Sequence, residues 1–272
     1  MNEKTNLHND AIEMLKETSR TFFIPISLLT PGLKEAVSSA YLCMRAIDEI
    51  EDHTELESEA KSDLLLAVSK LLRRPFQDNE LMDIFQPYLS ILPEVTIRLG
   101  DWIKVCPEVI KEKILDATSV MAEGMAKWAR KNWDIKDEND LDEYTFYVAG
   151  LVGVMLTDIW KWYDQTDTDE DLAIAFGRGL QSVNILRNHT EDASRGVNFF
   201  PIGWDFEDML TYARRNLALA DEYVKDIKTA TILHFCKIPL ALAHGTLDAL
   251  TAGKEKMSRA DVTELVSRVV GK

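Results

Sequence analysis

The sequence predicts an all-α protein. Apolar residues recur at spacings of three and four, as in Leu33, Val37, Ala40, Tyr41, Met44 and Ile47, which is the period of one helix face. Strand-like alternation is confined to the short VNFFPI, residues 197–202. Only 12 Gly and 8 Pro punctuate 272 residues, so long segments run without a breaker.

The elements follow in chain order. The first clear helix covers 33–52, with Thr30 able to cap it and Pro31 suited to a first turn. ESEAKSDLLLAVSKLL, 57–72, is a second helix, ended by RRPF. A long third helix spans 106–133, with Pro107 near its start. A fourth, 137–165, is strongly apolar along its middle, and a fifth covers 169–193. Segments 205–227, 230–253 and 258–270 complete the set. No internal repeat and no dividing linker is visible, so the expectation is a single domain, 1–272, with many helices around a common core.

Composition narrows the function. Apolar residues make up 46%, and the net charge is −15. That charge argues against nucleic acid, whose phosphates need a basic face. It also argues against a general grip on anionic lipid. A small anionic substrate stays open, because a local basic or metal-loaded pocket can outweigh the global field. Cys43, Cys106 and Cys236 form no CxxC pair, which fits a reducing compartment. The N-terminus lacks an apolar signal region, and no run of 18 apolar residues occurs. The expected location is cytoplasmic.

Two clusters carry chemistry. In AYLCMRAIDEIEDH, residues 40–53, Asp48 and Asp52 lie one turn apart on a helix face shared roughly with Tyr41 and Arg45. Burying two like charges needs a compensating cation, and Mg²⁺ suits one or two carboxylates plus substrate phosphates. In SVNILRNHTEDASRG, Asn184, Asn188 and Asp192 fall at i, i+4 and i+8, a ladder of side-chain oxygens flanked by Arg187 and Arg195. Such patches with arginines nearby make a site for a metal-bound diphosphate. A solvated acidic face is the plain alternative for either cluster alone. His189, one position on, points about 100° away from the ladder.

SRTFFIPI, AYLCMRAIDEIED, YTFYVAGLVG and NILRNHTEDASRGVNFFP, in that order from Ser19 to Pro201, resemble the blocks of the squalene/phytoene synthase family. The resemblance implies the all-α isoprenoid synthase fold, a single-domain bundle with two aspartate-rich helices facing across a deep apolar cavity and holding Mg²⁺. It implies prenyl diphosphate substrates such as farnesyl or geranylgeranyl diphosphate. Two of them are joined head-to-head through a cyclopropyl diphosphate to a squalene, dehydrosqualene or phytoene type of product. Asp48 and Asp52 match the first metal motif, and Asn184 and Asp192 match metal positions of the second, where Asn188 takes the opening position. Tyr41 and Arg45 match positions that contact diphosphate or assist the cyclopropyl step, and Tyr144 matches a proposed base. Ser19, Arg20 and Thr21 match an element near a diphosphate, and Arg187 and Arg195 match basic positions beside the second motif. Phe22, Phe23, Val148, Leu151, Val152 and Met155 could wall the cavity; ordinary helix packing is the competing role for each. Gly150 and Gly153 could admit either a substrate or a neighbouring helix. NADPH use stays open, since the family binds it without a dinucleotide-binding motif. An oily product implies transient contact with a bilayer, and the oligomeric state is not legible.

One departure matters. The second motif of the family opens with Asp, whereas here NHTED opens with Asn188, a neutral oxygen ligand that brings one charge less to a metal. This keeps open a single-substrate enzyme on the same fold, either a prenyl diphosphate phosphatase or a terpene cyclase. A non-catalytic helical assembly module is disfavoured by the retained acids, and a di-iron bundle by the lack of any Glu-x-x-His.

Overall fold

A computed structural model describes residues 3–19, 21–194 and 196–271. Among them every regular element is helical. They form two compact units, one running to Asn132 and one from Trp133.

The first unit holds α1 (Glu3–Thr18), α2 (Phe23–Ser27), α3 (Leu33–Glu51), α4 (Ser58–Leu72), α5 (Asp78–Phe85), α6 (Glu94–Ile97), α7 (Leu99–Val105) and α8 (Glu108–Arg130). α3 is its axis, touching α1, α2, α4, α6, α7 and α8. Partners on several sides explain why Leu33, Ala36, Leu42, Cys43, Ala46, Ile47 and Ile50 are all buried; they cover more than the single stripe of a surface helix. Two buried hydroxyls fasten α3 to its neighbours. Ser39 Oγ donates to the Trp102 carbonyl, and Thr96 Oγ1 to the Ala46 carbonyl, both at 2.8 Å. Each is worth about 1 kcal/mol net. The cap position of the helix falls on Gly32, two residues beyond Thr30. The turn closes through Gly32, at φ 85°, a conformation only glycine adopts cheaply, and its N–H donates to the Glu35 carboxylate.

The second unit holds α9 (Glu138–Thr145), α10 (Leu151–Asp164), α11 (Glu170–Ser194), α12 (Phe206–Tyr223), α13 (Ala230–Thr251) and α14 (Arg259–Val270). Here α11 is central, packing on α9, α10, α12 and α13. The single helix expected over 137–165 is interrupted: residues 146–150 form a π-helical turn. That widened turn sits where α11 comes within backbone contact. A Cβ on Gly177 would lie 2.2 Å from the Ala149 carbonyl oxygen, and one on Gly153 would lie 2.1 Å from that of Ala173. Gly150 also meets α11, through Ile174. The glycines of YVAGLVG therefore serve helix–helix contact. VNFFPI is a loop and not a strand, held by Val197 N–H to the Asp192 carbonyl (3.0 Å) and Ile202 N–H to the Lys136 carbonyl (3.1 Å).

Candidate active site

In the first unit, the sequence-predicted residues converge at the C-terminal half of α3. The Tyr41 hydroxyl donates to the Thr18 carbonyl at 3.2 Å, and its ring lies 6.0 Å from that of Phe22. Ser19 is buried and accepts from Phe22 N–H at 2.8 Å. Burial pushes the Tyr41 phenol up, while a hydrogen bond with Ser19 and the charge of Arg45 pull the other way. The phenol stays neutral near pH 7 and is a hydrogen-bond donor. Arg45 reaches Asp48 at 2.5 Å and also pairs with Glu49. Its own burial works against the charge, and Asp48 and Glu49 overcome this, leaving the guanidinium more basic than usual. Its Nε is buried without a hydrogen-bond partner.

Asp48 is a strongly perturbed acid. Burial, then the nearby charge of Asp52, push its carboxyl up to about 7, and Arg45 only partly offsets them. The side chain still keeps 30% of its surface open, so it is a recessed group that a ligand can reach. Asp52 caps the helix and is exposed. Thr21 is exposed, and Phe22 and Phe23 are half-buried. Arg20 and Arg195 lie outside the described residues.

In the second unit, Asn184, Asn188 and Asp192 all lie on α11 and grade from exposed through half-buried to buried. By helical rotation they continue the stripe that begins at Gly177, the residue pressed against the π-helical turn. The oxygen ladder thus extends the line along which α11 meets the apolar YVAGLVG segment. There Val148 and Val152 are half-buried, and Leu151 and Met155 buried. The exposed Arg187 donates from Nε to Asn188 Oδ1 at 3.2 Å. Tyr144 is buried and stacks on Phe199, with centroids 5.0 Å apart. His189 stacks on Phe200 at 4.2 Å, away from the ladder as its rotation predicts.

Among the described residues, no three His, Cys, Asp or Glu side chains form a preformed metal cage. Mg²⁺ does not need one, since it keeps waters and substrate oxygens alongside one or two carboxylates. The donor set fits such an ion: Asp48 is a carboxyl that its surroundings hold back from ionising, and a nearby cation reverses that preference. A separate groove of about 870 Å³ borders Gly32, Glu35, Lys104 and Lys111, at the opposite end of α3 and about 24 Å away at 1.5 Å per residue.

Comparison with known proteins identifies the family. The squalene/phytoene synthase family profile matches residues 15–204, which takes in both clusters. The chain belongs to the squalene/phytoene synthase family. Squalene synthase from Dictyostelium discoideum is 30% identical over 284 residues, covering 90% of this chain and 65% of that one. Squalene synthase 2 from Panax ginseng is 30% identical over 272 residues, covering 86% and 61%. The chain thus spans less than two thirds of the length of these curated relatives. Among solved structures, TcSQS with the ligand E5700 gives a TM-score of 0.82 at 21% identity, covering 98% of this chain and 87% of that one. A dehydrosqualene synthase in complex with ligand gives 0.67 at 19%, covering 99% and 97%. These likenesses establish the all-α isoprenoid synthase fold.

Sequence reasoning overlooked three contributors. Glu49 is the second partner of Arg45, a role its i+4 spacing could have announced. Phe199 and Phe200 bear on Tyr144 and His189. They are adjacent in sequence, but a contact between a loop and two separate helix positions leaves no periodic signal.

Proposed function

We propose that this member of the squalene/phytoene synthase family joins two prenyl diphosphates head-to-head in an Mg²⁺-dependent reaction, with farnesyl or geranylgeranyl diphosphate as substrate class. The observation that carries the proposal is the Tyr41–Arg45–Asp48 cluster, a recessed arginine paired with a carboxyl whose pKa is lifted to about 7. Such a pair is poorly explained as a stabilising ion pair and well explained as a site awaiting a charged ligand. Asp48 and Asp52 would hold a metal-bound head group on α3, and Asn184, Asn188 and Asp192 are the second candidate ligand set, on α11. Mg²⁺ bound there supplies charge neutralisation for a departing diphosphate.

The chain's own groups do the rest. The half-buried Arg45 guanidinium, held by Asp48 and Glu49, presents its charge to diphosphate oxygens, and Arg187 is the basic group beside the α11 ligand set. Ser19, Arg20 and Thr21 belong to the head-group set of α3 in this proposal, and Arg195 to that of α11. Tyr41, held neutral, donates a hydrogen bond as negative charge develops on the leaving oxygen. Tyr144, fixed against Phe199, is the candidate base: its phenol oxygen takes the proton as its own hydroxyl proton passes to the departing diphosphate. Phe22 and Phe23 beside the α3 set, and Val148 and Val152 on the segment that meets α11, are the apolar groups that would exclude water from a cation, which water would quench. The proposal includes cytoplasmic location and release of an oily product at a bilayer surface.

Asn188 favours a second reading. With one charge less on the ladder, ionisation of one substrate could survive where coupling of two does not, giving a prenyl alcohol or a cyclised terpene. Incubation with farnesyl or geranylgeranyl diphosphate and Mg²⁺, with and without NADPH, and mass analysis of the organic extract decides. A hydrocarbon of doubled carbon number supports coupling, and its saturation reports whether NADPH is used. A product of unchanged carbon number supports the second reading, and no turnover overturns both.

A further inference from the structure

A buried cation fastens the end of α3 that carries the first carboxylate motif. Lys61, in the first turn of α4, keeps only 8% of its surface exposed. Its Nζ donates to the backbone carbonyl of Glu51 at 2.6 Å, and Glu51 is the last residue of α3. A buried ammonium is costly unless compensated. A helix C-terminus is the place that compensates it, with orphan carbonyls and the negative end of the dipole. The connection between the helices is pinned as well. His53 Nδ1 accepts from Glu55 N–H at 3.2 Å, which leaves Nε2 to donate to the Ile91 carbonyl at 2.9 Å. Asp52, the capping residue, bonds back to the Asp48 carbonyl at 2.9 Å. The backbone that sets both carboxylates is therefore anchored by α4 and by the loop before α6, beyond what its own hydrogen-bond ladder provides.

We propose that Lys61 is the positioning residue of the first metal motif: its ammonium locks the final turn of α3 so that Asp48 and Asp52 stay on one face for a divalent cation. It acts through the Glu51 carbonyl. The inference rests on the metal-binding reading above.

The test uses the full chain without substrate and Mn²⁺ alone as the probe, read by electron paramagnetic resonance. Lys61→Arg keeps the charge and should bind Mn²⁺ much as the parent does. Lys61→Met removes the charge and the donor, and half-saturation should need about 10- to 100-fold more Mn²⁺, the usual effect of losing a group that orients ligands. Hydrogen exchange at the Asp52 and His53 amides should quicken in the same variant. Unchanged Mn²⁺ affinity with unchanged exchange in folded Lys61→Met overturns the proposal. Should that variant not fold, Lys61→Gln, which keeps a neutral donor, takes its place: faster exchange at those two amides supports the role, and parental exchange overturns it. If the parent itself binds no Mn²⁺, the metal reading falls, and the exchange comparison still decides whether Lys61 holds the turn.

Discussion

Replacing Asp48 by Asn should stabilise the free protein above neutral pH while removing its metal-dependent chemistry. The Asp48 carboxyl sits at about 7 against an ordinary 3.8. At 1.36 kcal/mol per pH unit, that gap is on the order of 4 kcal/mol as an upper bound. With 30% of the side chain open to water, screening cuts this to roughly half, about 2 kcal/mol. The sign follows from linkage. Between 3.8 and 7 the folded chain holds a proton that the unfolded chain has lost, so stability falls as pH rises across that window and is flat above it. Asn mimics the neutral acid and escapes this loss. Thermal midpoints should therefore agree near pH 4, diverge towards pH 7, and above it favour Asp48→Asn by roughly 4–8 °C. Mg²⁺ should raise the parent's midpoint at pH 8 and leave that of the variant nearly unchanged. A variant less stable than the parent at pH 8 would refute the reasoning, because it would mean that Arg45 already makes ionised Asp48 a net stabiliser.

Other expectations follow from the same geometry. Gly177→Ala would drive a Cβ against the Ala149 carbonyl and should cost about 1–3 kcal/mol; urea unfolding measures it, and an unchanged midpoint would show that the helices separate freely. Asn188→Asp restores a charged ligand on α11 and should lower the Mg²⁺ concentration needed for half-maximal diphosphate release; an unchanged requirement would remove Asn188 from the ligand set. Arg45→Met leaves Asp48 and Glu49 without their cation and should reduce turnover on the order of 10²- to 10³-fold, the usual loss for one electrostatic donor; a turnover near the parent's would deny Arg45 its head-group role.

Much of the fold was legible because the relevant helices are long and amphipathic. α3, α4, α8 and α11 lie within a few residues of their sequence-derived ranges. Shorter elements escaped: α2, α5, α6 and α7 have eight residues or fewer, too few turns for periodicity to show. α1 is mostly polar, yet Leu7, Ala11, Met14 and Leu15 fall at helical spacing and the last three are buried, so its signal was present in the sequence. The π-helical turn also escaped, because YVAGLVG reads as one apolar run whether or not its hydrogen-bond register widens; only the approach of Gly177 reveals it. For the site, helical rotation placed Asp48 with Arg45 and Asn188 with Asp192. Spacing could not foresee that Asp48 would be recessed and Asp52 exposed, since that depends on what packs around the end of α3. Nor could it foresee Lys61, which meets α3 only through tertiary contact.

The central claim is that two ligand sets, Asp48 and Asp52 on α3 and Asn184, Asn188 and Asp192 on α11, each bind magnesium that carries a substrate diphosphate. A crystal structure grown with Mg²⁺ and a non-ionising thio analogue of farnesyl diphosphate addresses it most directly. The account predicts metal–oxygen distances of about 2.0–2.1 Å from both sets of side chains, with Arg45 on the diphosphate. A head group bound elsewhere, or metal held by neither set, would contradict it.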